Sequence, residues 1–230
     1  HQDIKALKDL KPEERASINL KLKSGVKGVF NLIATLGGGY VDKLLWDNEL
    51  ITTYFQRNSQ LLATYKGNNS GTDLESELRS HTDYDYSRTS TISDIAMPAT
   101  PGINKRYYYF NQSHSATYNQ VFRVGKNGEL GINAAYLNDR DERSNQSVTT
   151  TLLPDGSKNV VDESFNGILH RNIANGNITY MQNTERNYIK EQLKFDWLST
   201  DGYSNIYAGE DIIQENNVEN YRLHNLFHLT

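Results

Sequence analysis

Apolar and polar residues alternate with a period of two over long parts of this chain, and no other feature of the sequence restricts its fold as much. Leu193, Phe195 and Trp197, for example, alternate with glutamine, lysine and aspartate. Successive side chains of a β-strand point to opposite faces, so each such strand has one apolar and one polar face. The same alternation is present around 18–23, 30–36, 130–136 and 221–229. The sequence therefore predicts an all-β protein.

Hairpin turns are predicted between these strands. Three dipeptides accept the positive φ angles that tight hairpins require, namely Asn127-Gly128, Asp155-Gly156 and Asp201-Gly202. Polar clusters predict further turns at 57–59, 183–186 and 215–217. The segments on either side of Asp155-Gly156 contain almost no strand breaker, so their strands exceed the ~5–6 residues usual in globular proteins. Long strands favour an antiparallel up-and-down meander that forms part of a transmembrane β-barrel.

The composition excludes several other classes of protein. No apolar run reaches the ~18–20 residues of a transmembrane helix. The net charge of −4 indicates no basic surface for nucleic acid. The absence of cysteine excludes disulfides, thiolate metal sites and cysteine nucleophiles. Residues 1–5 lack the apolar core of a signal peptide, so we expect either a mature chain or one that begins within a longer protein.

Two sets of side chains indicate which face of the strands would meet lipid. The set formed by Lys190, Gln192, Lys194 and Asp196 is strongly polar, as is the lumen side of a membrane barrel. Aromatic residues are expected at the ends of the apolar stripes, in the positions of interfacial girdles. These residues are Tyr118, Phe122, Tyr136, Trp197 and Tyr221. The irregular segment at about 68–104 predicts a long extracellular loop.

The first part of the chain resembles a known family of membrane proteins. The stretches that carry the resemblance are 1–7, Ser17-Ile18-Asn19-Leu20-Lys21-Leu22-Lys23, Gly28-Val29-Phe30 and Gly37-Gly38-Gly39-Tyr40. They resemble the plug-to-barrel junction of TonB-dependent outer-membrane receptors of the Bacteroidetes type, which carry a carboxypeptidase-regulatory-like N-terminal domain. The resemblance implies the end of a plug at 1–25 and barrel strands over 26–230.

This resemblance implies a receptor in the bacterial outer membrane that imports a bulky nutrient, such as a siderophore, a glycan or a peptide. The implied partners are outer-membrane lipid, the remaining barrel strands of the parent protein, the inner-membrane TonB complex acting through the plug, and a surface lipoprotein. The chain departs from whole receptors, because it has no TonB-box segment and predicts about nine strands instead of about 22. We therefore expect a fragment that has no energy coupling of its own.

No catalytic, cofactor-binding or metal-binding residue is predicted, and we expect that the protein is not an enzyme. His224 and His228 would share one face of a helix, but on a strand they are ~13 Å apart, too far for one metal ion. The acidic residues between Asp73 and Asp85 lack the spacing of a calcium loop and are expected in a solvated extracellular loop. The aromatic run 107–110 is expected to serve loop packing and the girdle.

Two other interpretations stay open at this stage. A complete small barrel with a structural or adhesion role would pair the strand at 29–36 with the strand at 221–229. A soluble β-sandwich or solenoid that binds glycans would bury Leu193, Phe195 and Trp197 in a dry core. It would leave Lys190, Lys194 and Asp196 in bulk water.

Overall fold

A computed structural model describes residues 28–75, 95–104 and 107–229. Its regular elements are eight strands: β1 (Val29–Tyr40), β2 (Leu44–Gln56), β3 (Ser59–Asn68), β4 (Phe110–Val124), β5 (Gly128–Leu152), β6 (Lys158–Asn183), β7 (Tyr188–Ala208) and β8 (Asp211–Leu229). They form one sheet in the order β1 to β8, and every neighbouring pair is antiparallel. The prediction of an all-β antiparallel meander is confirmed.

The connections differ between the two ends of the sheet. At one end, called the short-turn end, the connections are 57–58, 125–127 and 184–187. At the other, called the loop end, they are 41–43, 69–109, 153–157 and 209–210. The 69–109 connection includes most of the predicted long loop. The prediction of unusually long strands is also confirmed, since β5 has 25 residues and β6 has 26.

Two of the predicted turns are wrong. Asp201-Gly202 lies inside β7, where Asp201 pairs with Glu219, and the cluster 215–217 lies inside β8. The chain reverses at Gly209 instead, which has a φ of 65°. Gly202 has a different purpose: a Cβ atom there would lie 3.0 Å from both Ile95 Cδ1 and Leu169 Cδ1. Glycine at this position allows close packing within a strand and does not mark a turn.

The sheet is open in the part of the chain that the structure describes. β1 pairs only with β2 and β8 only with β7, so the pairing expected of a complete small barrel is not formed. The described residues contain eight strands, compared with about nine predicted for the chain. The predicted plug end at 1–25, including the strand near Ile18, lies outside the described residues. Within these residues, no helix is long and apolar enough to cross a membrane.

The sheet is also a single layer, because the described residues contain no second sheet. Leu193 and Phe195 are 48% and 42% exposed, so the dry core expected of a β-sandwich is not present at these positions. The buried apolar cluster is small and lies elsewhere. It consists of Leu74, Ala135, Leu137, Ile173 and Leu198.

Candidate functional site

One side of the sheet, called the apolar face, carries most of the exposed large hydrophobic side chains. Paired residues of neighbouring antiparallel strands point to the same side, so the strand register identifies the members of this face. Those more than a third exposed include Phe30, Leu32, Leu50, Tyr65, Tyr118, Tyr136, Ile178, Leu193, Phe195, Tyr221, Leu223 and Phe227. In water, a continuous apolar patch that extends over several strands favours association with other molecules.

Aromatic residues border the apolar face along two rows. Tyr65, Tyr136 and Trp197 belong to one row of paired positions, which crosses β3 to β7 towards the loop end. Phe122 and Tyr180 belong to a second row, near the short-turn end. All five aromatic residues predicted for a girdle lie on the apolar face, although Tyr118 lies between the two rows and Tyr221 lies two residues beyond the first row.

The spacing of these rows gives the apolar face a defined height. On β5 the rows are joined by residues 130–136, which span about 20 Å at ~3.3 Å per residue. On β5, the side chains of this face become polar or charged beyond the upper row, the one that contains Tyr136, as at Asn138, Arg140 and Glu142. The segments 128–136, 189–197 and 221–229 match the ~9–11 residues that a tilted strand needs to cross the hydrocarbon core of a bilayer. On β5 the apolar part of this face is therefore a band of limited height, called the apolar band below.

A compact aromatic cluster strengthens the border near β1. The Trp46 and His114 rings lie 5.2 Å apart, and Tyr65 Oη is 2.8 Å from His114 Nδ1. The cluster closes over Gly67, where a Cβ atom would be 2.9 Å from the Trp46 ring and 2.8 Å from Tyr65 Oη. Sequence reasoning did not assign Trp46, Tyr65 or His114 to the girdle, because the residues come from three strands and only the register brings them together.

The opposite side of the sheet, called the polar face, carries most of the buried polar residues. The four polar residues predicted for the lumen side, from Lys190 to Asp196, all lie on it. Other members are Glu49, Lys66, Asn133, Asp139, Asp141, Arg143, Arg171, Asn175 and Arg222. The sheet is thus two-faced in the way that the alternation predicts.

Asp139 is the centre of a hydrogen-bonded network on the polar face. Its side chain is only 3% exposed. It accepts hydrogen bonds from Tyr109 Oη at 2.8 and 2.9 Å and from Ser113 Oγ at 2.6 Å. Arg171 donates to it through Nη2 at 2.6 Å, and through Nη1 to Glu75 at 2.7 Å. A buried carboxylate requires partners of this kind, and here they come from β4, β6 and the 69–109 connection.

This network keeps Tyr109 uncharged. Burial, followed by the charge of Asp139 and its hydrogen bond, raises the pKa of the Tyr109 phenol well above its usual range. The neutral phenol can donate to the carboxylate, whereas a phenolate would repel it.

Two asparagines hold the beginning of the 69–109 connection against the polar face. Asn111 Nδ2 donates to Asn68 Oδ1 at 2.9 Å, and Asn111 Oδ1 accepts from the Gly71 amide at 2.9 Å. Asn68 Nδ2 donates to the Thr72 carbonyl at 3.1 Å. Gly71 has a φ of 88°, which favours glycine there. The chain therefore turns back over the sheet as soon as β3 ends.

Apolar contacts fix two described parts of this connection to the polar face. Leu74, which is 3% exposed, completes the small apolar cluster on β5, β6 and β7. Met97 and Pro98 pack on Gly167, where a Cβ atom would be 2.6 Å from the Met97 sulfur. Ile95 packs in the same way on Gly202. Residues 69–75 and 95–98 are called the docked segment below.

The remaining predicted residues have the following positions. His224 and His228 both lie on the polar face of β8, and His224 Nδ1 is 3.5 Å from Asp196. Glu75 was expected in a solvated loop, but its side chain is 16% exposed and ion-paired. That expectation is wrong for Glu75, because the connection turns onto the sheet. The acidic residues beyond it lie outside the described range, within which no three metal-ligating side chains group together.

The aromatic run at 107–110 is divided between three environments. Tyr107 is exposed, Tyr109 is buried in the Asp139 network, and Phe110 begins β4 on the apolar face. Loop packing, as predicted for this run, applies to Tyr109.

Comparison with known proteins adds no relative. No protein-family model matches the chain, and no curated protein matches it significantly. The geometry of the two faces is therefore the basis for assigning a function.

Proposed function

We propose that this chain is a wall segment of an outer-membrane β-barrel and that its parent protein is a TonB-dependent receptor that imports a bulky nutrient. The observation that carries the barrel part is the apolar band, which lies on one face of a single-layer sheet between two aromatic rows. Outer-membrane barrels have an outward apolar band ~25 Å tall, bounded by aromatic residues, and a polar interior. The receptor part is supported by the resemblance of the stretches at 1–7, 17–23, 28–30 and 37–40 to the plug-to-barrel junction.

The two open edges agree with a segment that needs further strands. In hydrocarbon, unpaired backbone groups each cost several kcal/mol, so only a closed cylinder of strands can span a membrane. The free edges of β1 and β8 would pair with the remaining strands of the parent protein. The polar face would then line the lumen, and the apolar face would contact lipid.

Two neighbouring positions on β7 test the orientation of the sheet. Leu193 lies on the apolar face and Gln192 on the polar face. We expect Leu193→Arg to lower the stability of the membrane-inserted protein by about 2–4 kcal/mol, the cost of an arginine facing lipid near the bilayer centre. We expect Gln192→Arg, the matched control, to change it by less than about 1 kcal/mol. The measurement is the urea-dependent folding of the parent protein, which supplies the remaining strands, into phospholipid vesicles.

Two results would contradict the proposal. Equal costs for the two substitutions would show that lipid does not contact the apolar face. The receptor part is tested separately, by deleting the parent gene and measuring growth on siderophore-bound iron, glycans and peptides. Undiminished growth on every source would contradict import of such nutrients.

A further inference from the structure

We propose that the docked segment is a barrier on the lumen side of the barrel wall and that Arg171 is the latch that holds it there. The barrier rests on the proposed function, whereas the latch rests on contacts within the chain alone. The segment belongs to the longest connection at the loop end, yet its described parts lie on the polar face instead of extending away from the sheet. A solute that moves along the polar face would meet these residues.

Arg171 bridges the sheet and the docked segment by charge. Its two terminal nitrogens bind Asp139 on β5 and Glu75 on the docked segment, at 2.6 and 2.7 Å. The Arg171 side chain is 22% exposed, and its partners are 3% and 16% exposed. Loss of the guanidinium would remove the cation between two carboxylates that lie close together, which favours release of the segment.

The segment and the sheet also fit together by shape. Met97 and Pro98 lie over Gly167 on β6, while Ile95 lies over Gly202 on β7. Two glycines in the interiors of long strands would otherwise weaken those strands, since glycine has a low strand propensity. Glycine at these two positions leaves space for the docked segment to pack on the sheet, and we call Gly167 and Gly202 the glycine seats. The charge network and the glycine seats hold different parts of the segment, so loss of the network lowers the free energy needed for release.

Arg143 provides a matched control for Arg171. It also lies on the polar face, is also 22% exposed, and also pairs with a nearly buried aspartate, Asp141. That pair lies within β5, whereas the Arg171 pairs reach the docked segment. Arg171→Met and Arg143→Met therefore remove the same charge from the same face. The first removes the ion pair to Asp139 together with the ion pair to Glu75 on the docked segment, and the second removes an ion pair within one strand.

The experiment uses single cysteines, since the natural chain has none. Ile95→Cys reports on the docked segment at a residue that is 7% exposed, and Ile103→Cys is a 58% exposed reference. In the full chain, a maleimide should modify the thiol at position 95 at least about tenfold more slowly than the thiol at position 103. Adding Arg171→Met should accelerate modification at position 95 about tenfold or more, and adding Arg143→Met should leave it within about twofold. Circular dichroism should show the same strand content in each variant.

The barrier is tested in cells that produce the parent protein. Entry of a hydrophilic dye too large for the intact outer membrane should rise several-fold with Arg171→Met and stay unchanged with Arg143→Met. Rapid modification of the Ile95→Cys variant without a second substitution, or equal effects of the two arginine substitutions, would overturn the latch. Faster modification without greater dye entry would overturn the barrier. A protected thiol at position 95 in a parent protein that does not insert into vesicles would instead contradict the proposed function and leave the latch standing.

Discussion

At the scale of single residues, one carboxylate organises the polar face. Asp139 collects donors from Tyr109, Ser113 and Arg171, which come from different strands and from the connection before β4. The sequence indicated that polar residues would line this face but could not indicate which would pair. The Arg171–Glu75 bond joins residues 96 positions apart, and no local pattern encodes such a pair. The tyrosine run at 107–109 offered a weak signal, since three consecutive tyrosines exceed what a solvated loop requires.

Tyr109 gives the polar face a predictable dependence on pH. We expect Tyr109→Phe to lower the free energy of unfolding by about 1–3 kcal/mol near neutral pH, because it leaves the buried Asp139 with one donor fewer. The pKa of this phenol is raised in the folded state, so its contribution is fully present below about pH 10 and is lost as the pH rises through the folded value.

Unfolding measured by urea at about pH 9 and about pH 11 tests this expectation. The difference between the natural chain and Tyr109→Phe should shrink at the higher pH. In the natural chain, one tyrosine should also resist ionisation when the absorbance near 295 nm is followed, and this resistance should disappear in the variant. A difference in stability that does not vary with pH would show that Tyr109 is not the titrating group.

At the scale of elements, the strands were predictable and two of their ends were not. Alternation and the lack of breakers indicated β5 and β6 because side-chain period and strand length are local properties. The turn predicted at Asp201-Gly202 was wrong because glycine has two structural roles that look alike in a sequence. At Gly209 it supplies a positive φ for a turn, and at Gly202 it makes space for Ile95. The second use depends on a contact with a distant segment.

Adding a methyl group to the polar face can overpack a close contact or can restrict the backbone of the unfolded chain. Gly167 and Gly131 separate these two effects. A Cβ atom at Gly167 would be 2.6 Å from the Met97 sulfur and 3.2 Å from Pro98, whereas at Gly131 the nearest atom is 3.8 Å away. We expect Gly167→Ala to destabilise the protein by about 1–3 kcal/mol through overpacking. Gly131→Ala should be neutral or stabilising by up to about 1 kcal/mol. Urea unfolding measures both, and a tolerated Gly167→Ala would argue against tight docking of Met97.

At the scale of the whole molecule, the described residues form a single open sheet with one polar and one apolar face. The alternation predicted the two faces, and the register confirms that they are continuous over eight strands. The sequence could not predict that the 69–109 connection would cover part of the polar face, since that depends on pairings between distant residues. The proposed barrel closure depends on strands beyond this sheet, so it is outside what either the sequence or the fold of this segment can encode.

We expect the isolated chain to associate in buffer without detergent, because its apolar face and its two free strand edges both favour intermolecular contact. Detergent micelles should cover the apolar face and reduce the associated fraction. Light scattering coupled to gel filtration, with and without detergent, measures this. A folded monomer in plain buffer would be incompatible with a lipid-facing surface.

The long hairpin of β5 and β6 continues well past the upper aromatic row. From residue 138 to residue 152 the strand covers roughly 45–50 Å at ~3.3 Å per residue, with mostly hydrophilic side chains on both sides. In the proposed orientation the hairpin projects from the cell surface, and its tip at 153–157 lies beyond the surrounding lipid headgroups. An antibody, a phage or a rival microbe's toxin would reach that tip before any other described part of the chain.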